Sequence, residues 1–248
     1  MKKHIFTKIG LIILSAGLLL ATAGSPSFAL PTDPTVAAGT ATFSNPDPNT
    51  LAINASNQAI INYGSFSIGS GESVIVRLPS VDSSILNRVL GNLPSDILGN
   101  LSCNGLFILV NANGIFIGPN ANIDVGSLIA STRDITNSDF LSSKYVFEKL
   151  SKEQLDMLLR NQGTITVRDG GFGVLIAGAI ENQGTIIAKV GTIALASGDK
   201  VTLNMAGNSL ISVAIDKEVA AGVYDQDGKP ILDQIKNTGR LEADGGVV

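Results

Sequence analysis

Asn104–Thr132 reads NGLFILVNANGIFIGPNANIDVGSLIAST. An apolar run, Leu106–Val110, stops at Asn111-Ala112-Asn113-Gly114. A second, Ile115–Ile117, stops at Gly118-Pro119-Asn120, and a third, Ile123–Ile129, follows at once. Short apolar runs cut by Asn, Gly and Pro are strands joined by tight corners, because Gly and Asn tolerate the positive φ that such corners need. No helix survives breakers at that spacing. The corners come too fast, and with too few hairpin-type loops, for a sandwich. The pattern predicts turns of a coil, each strand stacked on its counterpart one rung away.

Downstream the same text repeats. Asn161-Gln162-Gly163-Thr164-Ile165-Thr166-Val167 returns as Asn182-Gln183-Gly184-Thr185-Ile186-Ile187-Ala188, and more weakly as Asn237-Thr238-Gly239-Arg240-Leu241-Glu242-Ala243. Within each period lies a second strand, Gly173–Ala177 and then Gly191–Ala196. A period of about 20 residues with two or three short strands is a parallel β-helix rung, which buries its apolar face only against its neighbours. Asn161 and Asn182 fall at equivalent corners, where their amides can bond along the stack as a structural ladder.

Upstream, the chain gives a Pro/Thr/Ala-rich lead-in with a first strand near Gly39–Phe43. A turn cluster follows at Asn45–Asn49, and then strands at Thr50–Asn54, Ala59–Tyr63, Phe66–Ile68 and Ser73–Leu78. Ser83–Val89 reads as a helical turn or a corner. Asp134–Phe147 breaks the rhythm and predicts a hairpin or excursion. Ser151–Arg160 carries the one good helix signal: Ser151 and Gln154 form a capping box, and Leu150, Leu155, Leu158 and Leu159 share a face. Asp225–Pro230 is a turn. The chain ends mid-rung with no evident cap, which suggests a piece of a longer solenoid.

Residues 1–29 read as a secretory signal. Lys2, Lys3 and Lys8 form the positive region, Ile9–Ala21 the apolar core, and Ser27-Phe28-Ala29 the cleavage site, with Ala21-Thr22-Ala23 as a second candidate. Without that segment 14 Lys+Arg face 21 Asp+Glu, which excludes a nucleic-acid partner that needs a basic surface. The sole histidine, His4, leaves with the signal, so His-based catalysis and His-ligated metals go too. One cysteine, Cys103, permits no internal disulfide and reads as a small buried residue. Asp124, Asp134 and Asp139 are scattered rather than paired, which speaks against a carboxylate-driven enzyme. Gly170-Gly171-Phe172-Gly173 has Leu175 where a calcium repeat wants Asp. No cofactor and no metal site are expected.

Several unusual words occur in order: Asn62-Tyr63-Gly64-Ser65-Phe66, Leu86-Asn87-Arg88-Val89, Ser95-Asp96-Ile97-Leu98-Gly99, Asn111 to Gly118, and Leu128 to Thr132. Across roughly Gly39–Lys217 the chain resembles the secretion domain of two-partner-secretion exoproteins, the filamentous-haemagglutinin-type adhesins. Ala112 departs from the Pro usual in that family, and Tyr63 from its Trp. The resemblance implies an all-β, right-handed parallel β-helix with a hairpin or helix excursion near 134–160. A signal peptide (1–29) would precede the secretion domain (30–248). It implies recognition by the periplasmic domains of an outer-membrane two-partner-secretion transporter, then folding at the cell surface that nucleates a longer adhesin. Such a downstream region could carry a host-cell or glycan target. Asn111, Asn113, Gly114 and Ile115 are the implied residues of recognition or nucleation. The expected product is secreted or cell-surface, monomeric and not an enzyme. Two other classes stay open: a stand-alone carbohydrate-binding adhesin and a polysaccharide-acting β-helix enzyme.

Overall fold

The structure is a computed structural model that describes residues 30–151, 156–206, 210–220, 222–225 and 228–248. The expected signal segment and His4 lie outside these residues.

The chain winds as a parallel β-helix with three sheets running along its axis. The first sheet stacks Thr50–Ala55, Ser73–Arg77, the opening halves of Asn100–Val110 and Asn122–Ser131, then Thr164–Val167, Thr185–Ile187 and Arg240–Glu242. The second stacks Ala59–Tyr63, Ser84–Val89, the closing halves of the same two long strands, Phe172–Ala177 and Thr192–Ser197. The third stacks Ser95–Ile97, Ile115–Ile117, Asp156–Asn161, Ala179–Asn182 and Ile235–Asn237. All of these pairings are parallel. Thr35–Ala38 and Ala41–Asp47 pair antiparallel with Ala59–Tyr63 and Thr50–Ala55, closing the N-terminal end of the coil. The strand at Ala41–Asp47 thus runs into the expected Asn45–Asn49 turn, and Ser84–Val89, left open between helical turn and corner, is a strand.

Burial explains why the first two sheets read differently in sequence. On the first, residues alternate: Ile123 and Val125 are buried and Asp124 is exposed, the signature of a sheet packed on one side. On the second, the run Phe107–Val110 is buried without alternation. Its inward residues, such as Phe107 and Leu109, join the core of the coil. Its outward residues form a separate stripe, Ile60, Leu86, Ile108, Ile129 and Val174. That stripe is covered by two excursions that leave the coil at the same corner, between the second and third sheets. The first departs after Ser131 and returns through Asp156–Asn161. The second departs after Ser197 and returns at Ile235–Asn237. Tyr145–Glu148 from the first and Lys200–Ala206 and Leu210–Lys217 from the second form one antiparallel sheet. Its Tyr145, Phe147, Val201 and Leu203, with Phe140, pack on the stripe.

The helix expected at Ser151–Arg160 is corrected in part. Asp156–Asn161 is a strand paired with Ile115–Ile117 and Ala179–Asn182; residues 152–155 of that expectation lie outside the described ones. Leu159 faces the core, while Leu158 faces out beneath Val223 and Ile231. A strand buried on both faces needs adjacent apolar residues, here Leu158 and Leu159, and adjacent leucines mimic helical spacing. Among the described residues the α-helix is Asn137–Leu141, capped by Thr136, whose hydroxyl accepts from the Asp139 N–H at 3.1 Å.

Candidate functional site

The Asn111–Ile115 segment turns the chain from the second sheet into the third. Asn111 is fully buried, and both ends of its amide are used. Its Oδ1 accepts from the Asn113 N–H at 2.9 Å, an Asx turn. Its Nδ2 donates to Leu93 O and to Ser95 Oγ, each at 3.0 Å. Asn113, half-buried, donates through Nδ2 to Gly91 O at 2.8 Å. Both side chains therefore tie this corner to the corner one rung below. Gly114 has φ +109, and a Cβ there would lie 3.3 Å from Leu158 O, so conformation and space both call for glycine. Ile115 is buried in the core of the coil. On the other side, the Asn111 N–H donates to Ser131 O at 3.0 Å. Ser131 is where the first excursion departs and Leu158 where it returns, so the corner is stacked directly against the excursion's two ends.

Asn161 and Asn182 sit at the opposite turn, between the third and first sheets. Both are fully buried. Asn161 Nδ2 donates to Asn182 Oδ1 at 2.8 Å, and Asn182 Nδ2 to Asn237 Oδ1 at 2.7 Å. Gln162 Nε2 repeats the pattern to Gln183 Oε1 at 2.7 Å.

Glycine ladders run beside the amides and were missed in sequence, although glycine at a fixed place in each repeat was the available signal. At the corner after the third sheet, a Cβ on Gly163, Gly184 or Gly239 would lie 2.6, 2.2 or 2.1 Å from the carbonyl oxygen of the glycine one rung below, Gly118, Gly163 or Gly184. At the corner after the first sheet, Gly126, Gly171, Gly191 and Gly246 face Gly105 O, Gly126 O, Gly171 O and Gly191 O at 2.8, 2.2, 2.0 and 2.1 Å. No side chain of any kind fits those positions.

Sequence reasoning also missed two ionic clamps, because their members lie far apart in the chain. Arg88 Nε meets Asp134 Oδ1 at 2.8 Å, and its Nη1 donates to Asn137 Oδ1 at 2.9 Å and Asn62 Oδ1 at 3.3 Å. Arg133 is 1 % exposed, among the most deeply buried large side chains. Its Nη2 lies 2.5 Å from Asp156 Oδ1 and 3.4 Å from Asp199 Oδ1, and its Nε donates to Gly198 O at 2.7 Å. Lys149 Nζ reaches the other Asp156 oxygen at 2.8 Å.

The three scattered aspartates stay apart chemically. Asp124 lies on the outer face of the first sheet, Asp134 pairs with Arg88, and Asp139 accepts from the Thr136 hydroxyl at 2.7 Å. Cys103 is buried on the first sheet, and that burial pushes its thiol up to about 11, against a smaller lowering from a Gly105 backbone hydrogen bond.

Residues 30–244 match the family described as the TPS secretion domain. In sequence the chain is similar to a heme/hemopexin-binding protein of Haemophilus influenzae (strain ATCC 51907 / DSM 11121 / KW20 / Rd). It is 32 % identical over 175 residues, 68 % of this chain and 19 % of that protein. A second Haemophilus influenzae protein of the same name is 33 % identical over 147 residues, 59 % of this chain and 16 % of its own length. The chain thus aligns with under a fifth of either curated relative. In structure it is similar to the HMW1 secretion domain from Haemophilus influenzae, with a TM-score of 0.75 and 33 % identity over 88 % of this chain and 55 % of that one. The secretion domain of filamentous hemagglutinin shares the fold, with a TM-score of 0.51 and 16 % identity over 86 % of this chain and 76 % of that one.

Proposed function

The chain belongs to the TPS secretion domain family, and from that membership we propose that it directs export of a longer exoprotein by engaging an outer-membrane two-partner-secretion transporter and then nucleating its β-helix. Members of this family pass through the periplasm and outer membrane to the cell surface or the extracellular space. Residues 1–29 serve as the inner-membrane export signal, removed before the domain meets the transporter's periplasmic domains. The domain acts as a monomer and catalyses no reaction. Any host-cell or glycan target belongs to sequence beyond this domain.

Asn111, Asn113, Gly114 and Ile115 act in nucleation. The observation that carries this reading is the direction of their bonds: both asparagine amides point back to Gly91, Leu93 and Ser95 of the rung below, and the Asn111 N–H points forward to Ser131. A corner that joins three successive turns of the coil fixes rung spacing early. Nearest-neighbour stacking then carries folding onward. Asn161 and Asn182 continue the same register as a structural ladder.

The test is release of the 1–248 chain into medium with and without a two-partner-secretion transporter. Release only with the transporter is the expected result. Equal release without it would refute this function; retention with every transporter tried, alongside glycan binding by the purified chain, would replace it with that of a carbohydrate-binding adhesin. Polysaccharide turnover abolished by a single Asp substitution would instead point to the enzyme class.

A further inference from the structure

The outer apolar stripe of the second sheet begins at Ile60, Leu86, Ile108 and Ile129, before the first excursion, but its cover comes from both excursions. Beside the strand pairing of Tyr145–Glu148 with Lys200–Leu203, the two are joined by a buried charge, Arg133. It stands at the start of the first excursion, locked by Ser131, whose Oγ donates to Arg133 O at 2.8 Å and accepts from the Arg133 N–H at 2.9 Å. Its guanidinium receives Asp156 from the end of that excursion and Asp199 and Gly198 O from the beginning of the second. Asp199 in turn draws Lys217, at the end of Leu210–Lys217 in the second excursion, to 3.7 Å. Arg133 and Asp156 are almost wholly buried. A buried charge that has lost a partner is strongly unfavourable, because desolvation remains and the Coulombic gain does not. The second excursion supplies Gly198 O and Asp199 to the guanidinium, so the first excursion by itself leaves the shell of Arg133 incomplete.

We infer that Arg133 is a positioning residue that makes the early rungs wait: the coil through Ser131 closes only once the second excursion, through Lys217, is available to complete the clamp. This inference rests on the secretion-domain reading for its purpose, which is to hold the first rungs open, and so acceptable to a transporter, until most of the domain has been delivered. The link to the nucleating corner is direct, through the Asn111 N–H to Ser131 O bond.

The test follows burial of the Cys103 thiol while the purified chain refolds from urea, by pulses of a thiol-reactive reagent. Cys103 lies on the first sheet and belongs to the core of the coil, not to the packing beneath the excursions. In Asp199→Asn, burial of Cys103 is expected to slow by about tenfold or more, since a partner of a buried ion is removed. The comparison variant is Lys200→Ala, at the next residue, which loses an exposed pair to Glu148 at 3.1 Å; it is expected to stay within about twofold of wild type. Failure of Asp199→Asn to bury Cys103 at all would be the strong form of the same result. Burial of Cys103 at the wild-type rate in Asp199→Asn, or equal slowing in Lys200→Ala, overturns the inference. Refolding involves no transporter, so its failure leaves the export function standing. Failure of transporter-dependent release would likewise leave the coupling standing.

Discussion

Replacing Gly184 with alanine tests the stacking rule directly. The added Cβ would lie 2.2 Å from Gly163 O, 2.6 Å from the Gln162 carbonyl carbon and 2.8 Å from the Gly163 nitrogen. All three are backbone atoms of the rung below, so no side chain can swing aside. Restoring ordinary contact requires the two rungs to part at this corner by roughly 1 Å, against a strand spacing of about 4.8 Å. That movement stretches Thr185 N–H to Gly163 O from 2.9 Å, Gly184 N–H to Asn161 O from 3.0 Å, and the buried Asn161–Asn182 bond from 2.8 Å. Each is then beyond hydrogen-bond range. Two backbone bonds at about 1 kcal/mol each, plus a buried amide left unpaired at about 1–3 kcal/mol, give a loss of about 3–5 kcal/mol. Gly173→Ala is the comparison: its Cβ would meet Ile186 Cγ2 at 3.4 Å, ordinary contact, and the expected change is under about 1 kcal/mol. Urea unfolding of both variants, followed by circular dichroism, measures the difference. Equal midpoints would refute the claim that the corner glycines are dictated by the carbonyl one rung below.

Other outcomes follow from the same structure. Val190 is a β-branched residue at φ +53 and is largely exposed, in a corner where Gly170 and Gly245 hold the same conformation at φ +75 and +73; Val190→Gly should raise stability by about 1 kcal/mol in urea melts, and a loss would show that its side chain packs usefully. Asn113→Ala removes the bond to Gly91 O and should block transporter-dependent release; normal release of that variant would remove the motif's role. Cys103, with its thiol near 11, should resist alkylation at pH 8 in the folded chain and react at an ordinary rate in urea; rapid native labelling would contradict its burial. Burial raises the Glu181 carboxyl, but hydrogen bonds from Gln183 and Arg160 and the charges of Arg160 and Lys236 outweigh it, leaving a net lowering. A lowered folded-state value means that its stabilisation is present above the unfolded pKa and lost as pH falls through the folded one. Glu181→Gln should therefore flatten the acid limb of the stability–pH curve, and an unchanged limb would exclude the contribution.

Local chemistry made much of this fold legible. Asn-x-Gly and Gly-Pro-Asn breakers at strand spacing forbid helices and demand tight corners, and the Asn-Gln-Gly repeat sets the rung period, because side chains and backbone at those places meet only their own immediate neighbours. The Asn161–Asn182 correspondence could be read for the same reason. What covers the second sheet could not. The unbroken apolar run Leu106–Val110 announces burial on both faces, but nothing in it names Phe140, Phe147, Val201 or Leu203 as the cover. Asp156–Asn161 has leucines that satisfy a helical face as well as a doubly buried strand, and only the vacancy between Ile115–Ile117 and Ala179–Asn182 decides for the strand. Arg133 and Asp199 stand far apart in the chain, each an ordinary charged residue in its own stretch. The tertiary structure alone decides that they are buried together, because desolvation and pairing depend on what the folded chain brings to one place and not on sequence neighbours.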